Sequence, residues 1–271
     1  MKTKVMGENI RKNPWRGLES YKEGEIIYGR DNDIRALSQC ILNNTETLLY
    51  GRSGIGKSSI LNAGILPAAR RAGFMPVVIR LAHKDSEPYI CQIKEAIAEG
   101  LGVVNVKEVL ASRQPENETL YEYFHRHTFH DNEGNRTKLL LIFDQFEEIF
   151  TLQDDAKMRQ AIFAQLADLL NDIMPTELQS HISSVVVDED KASQTDESEN
   201  LFAGLNIDEC VVPEYVTDNE AHFVFTIRED YLSEFEFYSA NIPSLKHNRF
   251  GLRPINEEQA SQIILPNSGT D

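Results

Sequence analysis

Apolar residues fall along this chain in two rhythms. Four short, largely apolar runs lie at Thr47–Tyr50, Met75–Leu81, Leu139–Phe143 and His222–Arg228. The third, Leu139-Leu140-Leu141-Ile142-Phe143, contains no polar position, as expected of a strand buried on both faces of a parallel sheet. Between the runs the spacing becomes helical. Ile34, Leu37, Ile41 and Leu42 share one side of a segment that Asp31 is expected to N-cap. A helix is predicted from about Pro88 to Leu101, started by Asp85 or Ser86, and a second, with an aromatic inner face, over Glu118–Phe129. Met158, Ile162, Leu166, Leu169, Leu170 and Ile173 share the face of a third, closed by Pro175. A weak last strand is expected near Phe250–Leu252, then a helix whose start at Asn256 and Gln259 reads as a capping box. Strands alternating with helices predict a three-layer α/β/α fold on a mainly parallel sheet.

The polar stretches divide the chain. Residues 1–25 read as an irregular N-terminal arm, 26–254 as the core, and 255–271 as the start of a further helical unit. Inside the core, 176–221 is a long acidic connection. Between Asp188 and Glu220 there are eleven acids and one base, a local −10 out of a formal net charge of −16. Disorder is expected there. Such a balance argues against non-specific nucleic-acid binding, which needs a basic face. No apolar stretch is long enough to span a bilayer, and no secretion signal is visible. Cys40, Cys91 and Cys210 are widely spaced, outside any metal pattern, and suit a reducing, cytoplasmic setting. His125, His127 and His130 lack a strong ligand spacing.

One motif carries chemistry directly. Gly51-Arg52-Ser53-Gly54-Ile55-Gly56-Lys57-Ser58 is a G-x-x-x-x-G-K-[ST] phosphate loop between an apolar run and a helical stretch that opens with Ser59. Its backbone N–H groups are expected to cradle polyphosphate at the helix N-terminus. Lys57 would reach the β- and γ-phosphates, and Ser58 would ligate Mg²⁺. Asp144, ending the buried run, is the expected second metal ligand. Glu147 and Glu148 are candidate bases for water, with Glu148 slightly favoured, although either can instead serve the following helix. Arg228 ends another run and is a candidate reader of the γ-phosphate; its alternative is an ion pair with Glu229 or Asp230. No Asn-Lys-x-Asp run exists to read guanine, which points to ATP or ADP.

With these elements in order, the chain resembles the STAND class of signalling NTPases, in particular the novel STAND group of bacterial conflict and antiphage proteins. Asn13-Pro14-Trp15-Arg16-Gly17-Leu18 is similar to that group's leading box, and Ile27-Tyr28-Gly29-Arg30 to the motif before its first strand. Ser58 to Pro67 extends the phosphate-loop likeness; Asp144-Gln145-Phe146-Glu147-Glu148 resembles the acidic motif, and Thr226-Ile227-Arg228 the sensor strand. Leu252-Arg253-Pro254-Ile255 resembles the entry to a helical lid. The resemblance implies base contacts near Tyr28, Gly29 and Arg30, and a sheet ordered 5-1-4-3-2. It also implies a switch, ADP-bound at rest and ATP-bound and self-associated when triggered, with slow hydrolysis as the reset. Lid, sensor and effector units are expected in the same protein beyond this module, the alternative being a short protein that depends on a partner. Two other readings stay open: a nucleotide-dependent interaction module that does not hydrolyse, and a small-molecule P-loop kinase.

Overall fold

A computed structural model describes residues 20–82, 87–101, 103–106, 117–151, 156–181, 221–257 and 259–260. Five strands form one sheet: β1 (Glu46–Gly51), β2 (Phe74–Ile79), β5 (Lys138–Phe143), β6 (His222–Arg228) and β7 (Arg249–Gly251). Every pairing in it is parallel, and the spatial order is β2-β5-β6-β1-β7. Numbered one to five along the chain, that is the order 5-1-4-3-2 expected above.

Alternate side chains of β1, β5 and β6 enter different cores. Leu48, Leu141, Phe143, Phe223 and Phe225 face one side, where α4 (Tyr89–Gly100), α5 (Leu120–Arg126), α7 (Ala156–Leu170) and α8 (Leu232–Tyr238) pack. Leu49, Leu140, Ile142 and Val224 face the other, under α1 (Asp31–Asn43) and the helical stretch after the phosphate loop. In the central strands both faces are covered, so apolar residues fill most positions of the two-residue repeat. This accounts for the unbroken Leu139–Phe143 run and makes the molecule a three-layer α/β/α sandwich. The stretch after the loop is α2 (Lys57–Ile60), a π-helical turn over Leu61–Ile65, and α3 (Leu66–Arg71). Gly64 lets α1 approach it closely: a Cβ there would lie 2.6 Å from Ile34 Cγ1.

Several boundaries differ from the sequence expectation. Asp31 is the first residue of α1 rather than its cap; Arg30 holds the cap position and no side chain caps the helix. Asp31 and Asp33 in the first turn still complement the helix dipole. α4 begins at Tyr89 with Pro88 before it, while Asp85 and Ser86 lie outside the described residues. The predicted Glu118–Phe129 helix is half helix and half strand. α5 opens on a Thr119–Glu122 capping box and ends at Arg126, and β4 (His127–His130) pairs antiparallel with β3 (Val103–Val106). α7 ends at Leu170. The Ile173 N–H donates to Asp168 O and the Asp172 N–H to Leu169 O, closing a Schellman motif with Asp172 at φ 54°. Ile173 is therefore outside the helix and 55% exposed. The acidic connection also starts later than expected: residues 176–181 are helical and Leu178 is fully buried. Residues 182–220, the leading box 13–18 and 261–271 lie outside the described residues. The Asn256–Gln259 capping box is formed, each side chain accepting from the other's backbone N–H at 2.8–2.9 Å.

Candidate active site

β1, β5 and β6 end at the same edge of the sheet, and each delivers one part of the site. β1 ends at Gly51, and five loop residues later Lys57 starts α2. Gly54 and Gly56 have φ of 71° and 101°, a left-handed backbone that costs glycine nothing. Arg52, Ser53 and Gly54 are exposed, while Lys57 is 8% exposed and fills the loop's interior. Its ammonium donates to Gly51 O (3.0 Å) and Arg52 O (3.2 Å). Burial pushes the Lys57 pKa below the ordinary lysine value; the Glu147 and Asp144 carboxylates push it back up.

Asp144 follows β5 and is the hub. Its carboxylate accepts from Ser58 Oγ (3.0 and 2.9 Å), from Thr226 Oγ1 (3.0 Å) and from Arg80 Nη2 (3.0 Å). The turn behind it is tight. Gln145 takes φ 57° and its N–H donates to Thr226 Oγ1, while the Phe146 N–H donates to Thr226 O. This sharp turn brings Glu147 back toward the loop and sends Phe146 into the core against Phe143, Phe163, Phe225 and Phe235. Glu147 is 6% exposed and its Oε2 has no hydrogen-bond partner. Burial raises its pKa above the ordinary carboxylate value, against opposing pulls from backbone N–H groups and the Lys57 and Arg228 cations. Glu148 is half-buried in the first turn of α6 (Glu148–Thr151), and its own N–H is used on Gln145 O. Arg228, opposite Gly51 in the β1–β6 register, donates through Nη2 to Asp230 (3.0 Å) and lies over the Tyr231 ring, while its buried Nε has no partner.

These positions make a phosphate loop, a hydroxyl–carboxylate pair and a buried acid between two cations. The family model of "Novel STAND NTPase 1" matches residues 14–268. The chain belongs to that family. No curated protein matches it. Among solved structures it is similar to the Walker-type ATPase PABY2304 of Pyrococcus abyssi, at 12% identity and TM-score 0.49, covering 92% of this chain and 60% of that one. It is also similar to the Aeropyrum pernix ORC2 protein in its ADPNP–ADP complexes, at 16% identity and TM-score 0.46, covering 91% and 53%. The chain thus spans less than two thirds of either structure's length.

The remaining residues of this NTPase's site are scaffold-like in their contacts. Arg30 is buried; it donates to Ile55 O in the loop (3.1 Å), to Arg253 O (2.8 Å) and to Asp33 (2.7 Å). It therefore ties the loop to the chain beyond β7. Gly29 has φ 72° and Tyr28 is 42% exposed beside it. Ser59 Oγ accepts the Tyr21 N–H (3.3 Å), and Arg52 pairs with Glu229 (3.0 Å) in solvent. His125 and His127 each place Nδ1 against a backbone carbonyl of α5. Among the described residues no cluster of three His, Cys, Asp or Glu side chains suits a metal, and no helix is long and apolar enough to cross a membrane.

The donor set at Ser58 and Asp144 fits Mg²⁺. It is all hard oxygen, and few protein ligands leave room for water and phosphate, as Mg²⁺ prefers. Two contributors were not singled out from sequence as site residues: Arg80 and Thr226. Thr226 is fully buried two residues before Arg228 and orients both Asp144 and the turn after it. The visible signal was its place in the Thr226-Ile227-Arg228 strand end. Arg80 gave none beyond being the one charge inside the Met75–Leu81 run.

Proposed function

We propose that the chain is the ATP-binding module of a Mg²⁺-dependent signalling switch that hydrolyses ATP slowly, in bacterial antiviral defence. The observation that carries this reading is the pair of orphaned buried atoms beside Lys57: Glu147 Oε2 and Arg228 Nε. Burying a carboxylate oxygen and a guanidinium nitrogen without partners costs stability. A ligand offering a proton donor to the one and an acceptor to the other removes that cost. A water beside a γ-phosphate meets both demands.

In this reading the loop amides and Lys57 hold the β- and γ-phosphates, Ser58 and Asp144 hold the metal, and Tyr28 and Gly29 border the adenine. Mg²⁺, when bound, neutralises charge on the phosphate oxygens. Glu147 orients the attacking water and accepts its proton, and its raised pKa makes it a better base than an exposed carboxylate. Arg228 reads the γ-phosphate by leaving Asp230, which gives ATP and ADP the different contacts that a switch requires. Glu148, engaged with the turn, supports the helix that follows. Lid, sensor and effector units of the same protein, or further copies of it, are the proposed partners.

Single-turnover assays with radiolabelled ATP test the reading. Wild type is expected to bind ATP and release phosphate, and Lys57→Ala to do neither. Tight binding with no phosphate release would leave a nucleotide-dependent interaction module in place of a hydrolase. Equal, undetectable binding by both proteins would overturn the proposal.

A further inference from the structure

The contact between Arg80 and Asp144 bears on how metal enters the site. Arg80 follows the last residue of β2, and β2 pairs with β5, so its side chain leaves the sheet beside Asp144. Nη2 donates to Asp144 Oδ2 at 3.0 Å, the oxygen that also accepts from Ser58 at 2.9 Å. Oδ1 takes Ser58 and Thr226. Both oxygens of the expected metal ligand are therefore engaged, one by a full positive charge. The Asp144 side chain is 7% exposed, but that of Arg80 is 55% exposed. The carboxylate is fixed and the cation on it is free to leave.

We propose that Arg80 is a positioning residue that stands in for the metal and excludes a bare divalent ion from Asp144, so that metal enters only together with a nucleotide. This rests on the reading of Ser58 and Asp144 as the metal site. A bare ion would have to displace the guanidinium and then sit beside it, two positive species a few ångströms apart. Metal arriving on a triphosphate brings the negative charge that makes the exchange favourable. While Arg80 is in place it keeps Asp144 aligned with Ser58 and Thr226, so no rearrangement of the carboxylate is needed at that moment. The reciprocal consequence is that metal and nucleotide bind cooperatively.

Arg80→Met keeps the aliphatic stem and removes the charge. Mn²⁺ alone, followed by electron paramagnetic resonance without nucleotide, reports on the empty site directly. The variant is expected to bind Mn²⁺ about three- to tenfold more tightly than wild type, and adding Asp144→Asn should abolish the gain. Arg80→Lys, a point charge lacking the planar fork, should fall between the two and serves if Arg80→Met does not fold. Unchanged Mn²⁺ affinity, or a gain that survives Asp144→Asn, would overturn the proposal. Fluorescent ATP binding in EDTA provides the separate control. It should be unchanged by Arg80→Met; a tenfold loss would mean that Arg80 holds phosphate and would equally overturn it. No nucleotide binding by wild type with Mg²⁺ present would instead count against the function proposed above.

Discussion

Glu118 and Glu147 are buried to almost the same degree, at 5% and 6% exposure, and their surroundings differ completely. Glu118, just before α5, has both oxygens occupied: Oε1 accepts from Arg126 at 2.7 Å and Oε2 from Lys94 at 2.9 Å. It joins α5 to α4 beneath the sheet. Glu147 lies between Lys57 and Arg228 with Oε2 unpaired, and Arg228 Nε is unpaired too. A buried charge with its partners in place holds two helices together. One kept without them holds a place for something else. Burial alone does not separate the two carboxylates; what distinguishes them is whether their own oxygens are paired, since the scaffold also holds an unpaired guanidinium nitrogen, Arg126 Nε.

The largest effect expected from this contrast falls on the fold. Glu118→Ala removes the carboxylate that Arg126 and Lys94 share and should cost about 3–5 kcal/mol, the usual result of removing one member of a buried pair. Urea denaturation would measure it, and nucleotide affinity in the surviving folded fraction should be unchanged. Glu147→Gln should do the opposite, slowing phosphate release about 100-fold or more while the variant melts no lower than wild type. A loss of several degrees on Glu147→Gln, or normal turnover, would erase the distinction between the two carboxylates.

A smaller effect concerns pH. The folded-state pKa of Glu147 is raised above its unfolded value. Between those two values the folded chain binds more protons than the unfolded one, so the Glu147 contribution to stability falls as pH rises through the folded pKa. Above both values the ionised, buried carboxylate is a net cost. Glu147→Gln should therefore be more stable than wild type at pH 7, and the difference should shrink as the pH drops toward the ordinary carboxylate range. Thermal melts of both proteins from pH 7 to pH 5 would show it; a gap that widens on acidification would contradict the assignment. The smallest expected change is Thr119→Ala, which removes the α5 capping box and should cost about 1 kcal/mol without altering nucleotide binding.

Much of this was legible in the residues. The phosphate loop and the strand ending at Asp144 are continuous in sequence, so local chemistry names them. The sheet order followed from the family resemblance, and the doubly buried Leu139–Phe143 run agrees with it. What was hidden depends on contacts between segments far apart in the chain. Glu147 and Glu148 are adjacent and chemically alike; only the turn at Gln145, held by Thr226 from another strand, decides which of them points inward. Arg80 and Asp144 meet only because β2 and β5 are neighbours. The aromatic spacing in Glu118–Phe129 fits a helix throughout, yet His127–His130 pairs with Val103–Val106, and partner choice of that kind leaves little trace in the strand itself. Ile173 continues the helical face of α7 in sequence but lies past the left-handed Asp172 that ends it.

Equilibrium binding of a fluorescent ATP analogue with Mg²⁺, compared among wild type, Lys57→Ala and Glu118→Gln, tests the central claim most directly. The account predicts binding by wild type, affinity within about threefold of it for folded Glu118→Gln, and a loss of about 100-fold or more for Lys57→Ala. Binding by Lys57→Ala at the wild-type level, or no binding by the folded wild-type protein, would contradict the assignment of this loop and its unpaired charges as a nucleotide site.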